Sequence, residues 1–135
     1  MSAAPSPLPP ADFRLSAIGQ IAVRVRELPR AVEFYRDRLG LPFLFEAPGL
    51  AFFQCGDLML MLSLPESAEF DHPSSVLYFQ VDDIEAAYQV LTGRGVPFID
   101  QPHLIHRFPD SELWMAFFRD PDQSTLAIRA IRKVG

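Results

Sequence analysis

The stretch AVEFYRDRLGLPFL, residues 31–44, returns later in the chain as AAYQVLTGRGVPFI, residues 86–99. Each copy is an amphipathic run, a glycine, an aliphatic residue and then Pro-Phe. With Val25 set against Val81, Leu28 meets Ile84, Ala31 meets Ala87, Val32 meets Tyr88 and Tyr35 meets Leu91. After a one-residue slip Gly40 meets Gly95, Pro42 meets Pro97 and Phe43 meets Phe98. Apolar residues at i, i+3, i+4 and i+7 form the one-sided stripe of a helix lying on a core. Pro29 suits a first helical turn, where its missing N–H is no loss. Asp82 and Glu85 read as a capping box for the second helix, and Gly40 and Gly95 as left-handed stops.

The flanks repeat as well. An alternating strand precedes each helix, QIAVRV at 20–25 and VLYFQV at 76–81, with successive side chains on opposite faces. Strand-like runs follow: FLFE, LAFFQ and LMLMLSL in the first half, FID, LWMAFF and TLAIRA in the second. Turns are expected at Cys55-Gly56-Asp57 and at Asp120-Pro121-Asp122-Gln123. Each half thus reads β-α-β-β-β, and the chain as an α+β duplication. The expected organisation is a flexible Pro-rich arm over 1–14, then one domain over 15–135. Within it, module one spans about 18–66 and module two about 74–131, joined by a linker at 67–73.

Bulk properties narrow the function classes. A chain of 135 residues is long enough for one well-cored domain. The net charge is −5, and of the twelve Lys and Arg residues only Lys133 is a lysine. The arginines are scattered, which argues against a nucleic-acid surface. The single cysteine, Cys55, rules out an internal disulfide and suits a reducing compartment, so a cytoplasmic protein is expected. No apolar run reaches the length of a membrane span, and the N-terminus lacks the pattern of a secretory signal.

The helix-and-stop segment VRELPRAVEFYRDRLGLP, its echo VDDIEAAYQVLTGRGV and the late turn FFRDPD resemble the vicinal oxygen chelate superfamily. That superfamily includes glyoxalase I, extradiol dioxygenases and bleomycin-binding proteins. The resemblance covers about Ile18 to Ile131. It implies tandem βαβββ modules curled around a cavity, and a homodimer. Gln123 departs from the family, which usually has Gly there; a residue with a Cβ must bear a tight turn at some cost.

The resemblance also implies four metal-ligand positions on the first and last strands of both modules. Carried over one at a time, these are Gln20, Met61, Val76 and Ala127. Only Gln20 offers an oxygen donor to a hard or borderline ion, so no metal is expected there. A divalent metal held instead by His103 and His106, with Asp100, Asp110 and Glu112 nearby, is the weaker alternative.

Alternation aims Gln20, Ala22 and Arg24, then Met59, Met61 and Ser63, at the cavity. From module two it aims Val76, Tyr78 and Gln80, then Thr125, Ala127 and Arg129. This lining suits a small, partly hydrophobic organic ligand with one or two polar handles. The segment 101–112 reads as irregular and able to fold over the mouth, bringing His103 or His106 to the ligand. Two function classes remain open. One is a metal-independent binding protein. The other is a lyase, isomerase or dioxygenase using an unusual metal site, or acid–base chemistry from Tyr78 or His103. No membrane or nucleic-acid partner is expected.

Overall fold

The computed structural model describes residues 13–134; the first twelve residues of the proposed arm lie outside the described residues. In chain order come β1 (Gln20–Arg24), α1 (Leu28–Glu33), β2 (Phe43–Ala47), β3 (Leu50–Cys55) and β4 (Leu58–Ser63). A single 3-10 turn at Ala68–Phe70 marks the linker. Then follow β5 (Leu77–Gln80), α2 (Ile84–Gly93), β6 (His103–Arg107), β7 (Ser111–Arg119) and β8 (Thr125–Lys133). The strands form two sheets, ordered β1-β4-β3-β2 and β5-β8-β7-β6. In each, the first and last strands of the module run parallel and the other pairs antiparallel. The two sheets do not close on each other.

The duplication extends to register. Ala22 lies opposite Met61 as Tyr78 lies opposite Ala127. Phe53 lies opposite Leu60 as Phe118 lies opposite Leu126. One face of each sheet is buried beneath its helix. Val23, Leu60, Leu62, Ala51 and Phe53 occupy that face in module one, and Leu126, Ile128, Ala116 and Phe118 in module two. These side chains and the helix stripes make one continuous core.

Local chemistry explains the helices. Pro29 stands in the first turn of α1. The helix widens into a π turn over Phe34–Arg38, where Leu39 N–H reaches back five residues to Phe34 O at 3.0 Å. Phe34 and Tyr35 are both buried there, with their rings edge to face at 5.4 Å. The cap of α2 is Asp83 rather than Asp82: its Oδ1 accepts from Ala86 N–H at 3.1 Å. Gly40 and Gly95 close the two helices at φ of 81° and 83°, a conformation that costs glycine nothing.

One expected strand is displaced. FID at 98–100 does not form a strand; Phe98 makes a single bridge to Phe118, the counterpart of the Phe43–Phe53 pair. Pro97 and Pro102 lack N–H groups for a ladder. Between them, the Asp100 carboxylate accepts from Phe117 N–H at 2.8 Å, in place of a strand carbonyl. Pairing resumes as β6, so the segment read as irregular is largely a β6–β7 hairpin.

The modules meet through their helices and turns. Arg38 donates to Gly95 O at 3.3 Å, and its counterpart Arg94 donates to Arg38 O at 3.1 Å. Tyr35 donates its hydroxyl to Asp120 at 2.7 Å. The turn after Asp120 holds Gln123 at φ 68°, in the left-handed region where a Cβ costs about 1–2 kcal/mol. Gln123→Gly relieves this while loosening the unfolded chain. The expected net gain is about 0.5–1 kcal/mol, read as a higher denaturant midpoint with an unchanged slope.

Candidate ligand-binding faces

The opposite face of each sheet carries no helix. On the first, Ala22, Met61, Phe52 and Phe45 stand in one cross-strand row. Phe45 stacks on Phe52 at 4.4 Å and 20°. On the second, Tyr78, Ala127 and Phe117 form the matching row. Ala127 is too small to stand in the way, and Tyr78 reaches over it to meet Phe117 edge to face at 5.8 Å. His103 lies against the other side of Phe117 at 6.4 Å. Phe45 is 49% exposed and Tyr78 48%, so each row is an aromatic surface open to solvent.

The polar residues expected at a cavity are mostly engaged. Gln20 donates its amide to Met61 Sδ at 3.7 Å. Arg24 is held by Asp71 of the linker at 2.9 Å, and Arg129 donates to Gln80 Oε1. Met59 lies opposite Gln20 and is half-buried; Val76 stands just before β5 and is exposed. Tyr78 keeps its hydroxyl without a partner among the described residues. The structure thus puts Gln20, Arg24, Met59 and Met61 on one open face, and Tyr78, Gln80, Ala127, Arg129 and His103 on the other. No strand pairing joins the two faces.

His103 has an anchor that the sequence did not reveal. Its Nδ1 lies 2.8 Å from Gln101 O and 3.8 Å from Asp100 Oδ2. Donation from Nδ1–H to that carbonyl leaves Nε2 with the free lone pair. His106 instead packs on Phe108 at 4.6 Å. Phe45, Phe52 and Phe117 were also missed. Strand alternation carries them to the open faces, because Phe52 pairs with Met61 and Phe117 with Ala127.

The donor set at the four strand positions does not fit a divalent ion. Gln20 supplies one neutral amide, Met61 a soft thioether, and Val76 and Ala127 nothing. Among the described residues, no three of His, Cys, Asp and Glu come together to hold a metal elsewhere. No described helix is long and apolar enough to cross a membrane.

Comparison with known proteins agrees with this architecture. A family profile described as the Glyoxalase/Bleomycin resistance protein/Dioxygenase superfamily matches residues 17–128. The Bacillus subtilis (strain 168) protein YraH, described as uncharacterized, is 32% identical over 81% of this chain and 94% of its own. The crystal structure of lactoylglutathione lyase from Agrobacterium tumefaciens superposes with a TM-score of 0.69. It is 28% identical and is covered over 95% of its length, against 87% of this chain. A virulence protein from Salmonella typhimurium shares the fold at a TM-score of 0.72 and 17% identity, over 87% of this chain and 98% of its own. With matched strands, matched registers and a family profile running from 17 to 128, the chain belongs to the Glyoxalase/Bleomycin resistance protein/Dioxygenase superfamily.

Proposed function

We infer that this protein binds a small, partly hydrophobic organic molecule, without a metal, against the helix-free faces of its two sheets. The observation that carries the reading is the pair of open aromatic rows, Phe45–Phe52 and Tyr78–Phe117–His103, on faces that lack a chelating set. Stacked and edge-on aromatic groups favour a flat ligand, and Met61 adapts to its outline. Tyr78 and His103 supply the polar handles. A second copy of the chain would cover both faces and complete the cavity, which supports a homodimer as the working form. The single thiol suits a reducing, cytoplasmic setting.

Titration with naphthol, an uncharged aromatic probe, tests the reading. Met61→Ala is expected to weaken its binding about tenfold, the worth of one well-packed apolar contact. Sedimentation is expected to show a dimer, and elemental mass spectrometry only traces of metal in protein purified without chelators. Near-stoichiometric iron, manganese, nickel, cobalt or zinc would overturn the metal-free reading. Naphthol binding indifferent to Met61 would overturn the assignment of the faces.

One observation favours an enzyme as the second reading. His103 is oriented by Gln101 and Asp100, as a general base would be, and a structural relative is a lactoylglutathione lyase. Turnover of the adduct of methylglyoxal and glutathione, abolished by His103→Ala in metal-free protein, would establish it.

A further inference from the structure

The two copies of the module meet twice, and the two seams are built differently. At the first, α1 faces the β7–β8 turn; at the second, α2 faces the β3–β4 turn. Gln54 pairs with Met59 as Arg119 pairs with Thr125, so Cys55 corresponds to Asp120. Tyr35 corresponds to Leu91 in the helices. The first seam is sealed by polar bonds: Tyr35 hydroxyl to Asp120 at 2.7 Å, and Arg26 N–H and Arg30 to Asp122 at 3.0 and 3.2 Å. At the second, Leu91 and Cys55 replace the tyrosine and the carboxylate, and Asp82 and Ala86 stand where the arginines were. Leu91, Cys55 and Ala86 cannot supply the hydroxyl, carboxylate and guanidinium bonds, and Asp82 N–H and Asp57, which match Arg26 N–H and Asp122, do not pair. A groove of about 610 Å³ opens there, with Leu91 and Cys55 in its wall.

Its chemistry is specific. The wall is mostly apolar, from Leu41, Val90, Phe118 and Ile128 among others, with Gln54, Tyr78 and Gln80 as neutral polar groups and Arg94 as its one charged residue. Arg94 spends a single N–H on Arg38 O, and no carboxylate pairs with it among the described residues. The carbonyls of Val90, Leu91 and Thr92 at the end of α2 are taken by the N–H groups of Arg94, Gly95 and Val96. Burial pushes the Cys55 thiol up, keeping it protonated and uncharged at neutral pH. The volume lies within the range of small-molecule sites, about 300–1,000 Å³.

We propose that this seam, which borders the second open face along Tyr78 and Gln80, is a further binding site for an amphipathic monoanion: a carboxylate seated on Arg94, with its apolar body lying along Leu91, Val90 and Cys55. Duplication supplied two equivalent seams. One now carries the tyrosine–aspartate bond and the other a pocket.

Decanoate and the neutral decanol are the probes, and Cys55, as the single cysteine, reports occupancy by its rate of alkylation with iodoacetamide. Decanoate is expected to slow alkylation severalfold at saturation. Arg94→Gln should weaken decanoate about tenfold, the scale of a charge-assisted hydrogen bond, and leave decanol unchanged. Val90→Trp, at a half-exposed helix position that tolerates a large side chain, should fill the groove and abolish protection. The proposal is overturned if decanoate leaves Cys55 unprotected, if protection survives Val90→Trp, or if Arg94→Gln binds decanoate as tightly as the parent. Naphthol binding is read through Met61→Ala on the first sheet, outside the groove, so failure at one site is distinct from failure at the other.

Discussion

Asp120→Ala is expected to lower stability by about 3–5 kcal/mol, read from the denaturant midpoint. The Asp120 side chain is almost wholly buried and satisfies three donors. Its Oδ2 accepts from the Tyr35 hydroxyl at 2.7 Å, and its Oδ1 from the N–H groups of Asp122 and Ser124, each at 2.9 Å. Removing the carboxylate strands all three donors in an apolar surround, at about 1–3 kcal/mol each where water cannot reach. It also loosens the turn that anchors Arg26 and Arg30 through Asp122. Tyr35→Phe removes one of the three bonds and should cost about 1.5–3 kcal/mol.

The pair also sets a pH dependence. Burial, followed by the field of Asp120 and its hydrogen bond, raises Tyr35 well above its ordinary value of 10.0. Below pH 10 the phenol is neutral in both folded and unfolded chains, and its contribution is complete. Above pH 10 the unfolded chain ionises while the folded one resists, so stability falls as pH rises. Burial raises Asp120 too, against the pull of its Tyr35, Ser124 and Asp122 donors. That contribution therefore grows as pH falls through the raised value towards the ordinary 3.8. Alkaline destabilisation above pH 10 should be shallower in Tyr35→Phe; equal slopes would contradict this account.

Phe53→Ala should cost about 3–5 kcal/mol, the range for a buried phenylalanine. The adjacent Phe52→Ala should cost under about 1 kcal/mol. The two residues share a strand and point to opposite faces. Phe53 is fully buried beneath α1, 6.2 Å from the Tyr35 ring and 5.5 Å from Phe43. Phe52 stands on the open face against Phe45. Binding should reverse the order: Phe52→Ala weakens naphthol about tenfold, as the stacking surface is lost, while folded Phe53→Ala retains it. Equal stability losses would mean that the open face is buried in the working molecule, and sedimentation of both variants would show by what.

Much of the fold was legible because its signals are local. Helix stripes, glycine stops, Pro29 in the first turn and alternating strands depend on a few neighbouring residues. The repeat doubled each signal. The chemistry of Gln20, Met61, Val76 and Ala127 as metal donors was equally plain, since side-chain identity alone decides it.

Other features depend on partners distant in sequence. Asp100 could not be seen to break a strand, because it does so by taking the N–H of Phe117. The cap is local, but Asp82 and Asp83 are both capping types, and only the phase of the first turn selects Asp83. The bulge between Leu104 and His106 arises only where β6 pairs with β7.

By itself, the sequence determined two βαβββ copies and the side-chain chemistry of Gln20, Met61, Val76 and Ala127. Only the tertiary structure decided that one seam is welded by Tyr35 and Asp120 while the other, with Leu91 and Cys55, stands open. The physical reason is that a hydrogen bond or a groove is a property of two surfaces brought together. Helix and strand patterns describe one surface at a time.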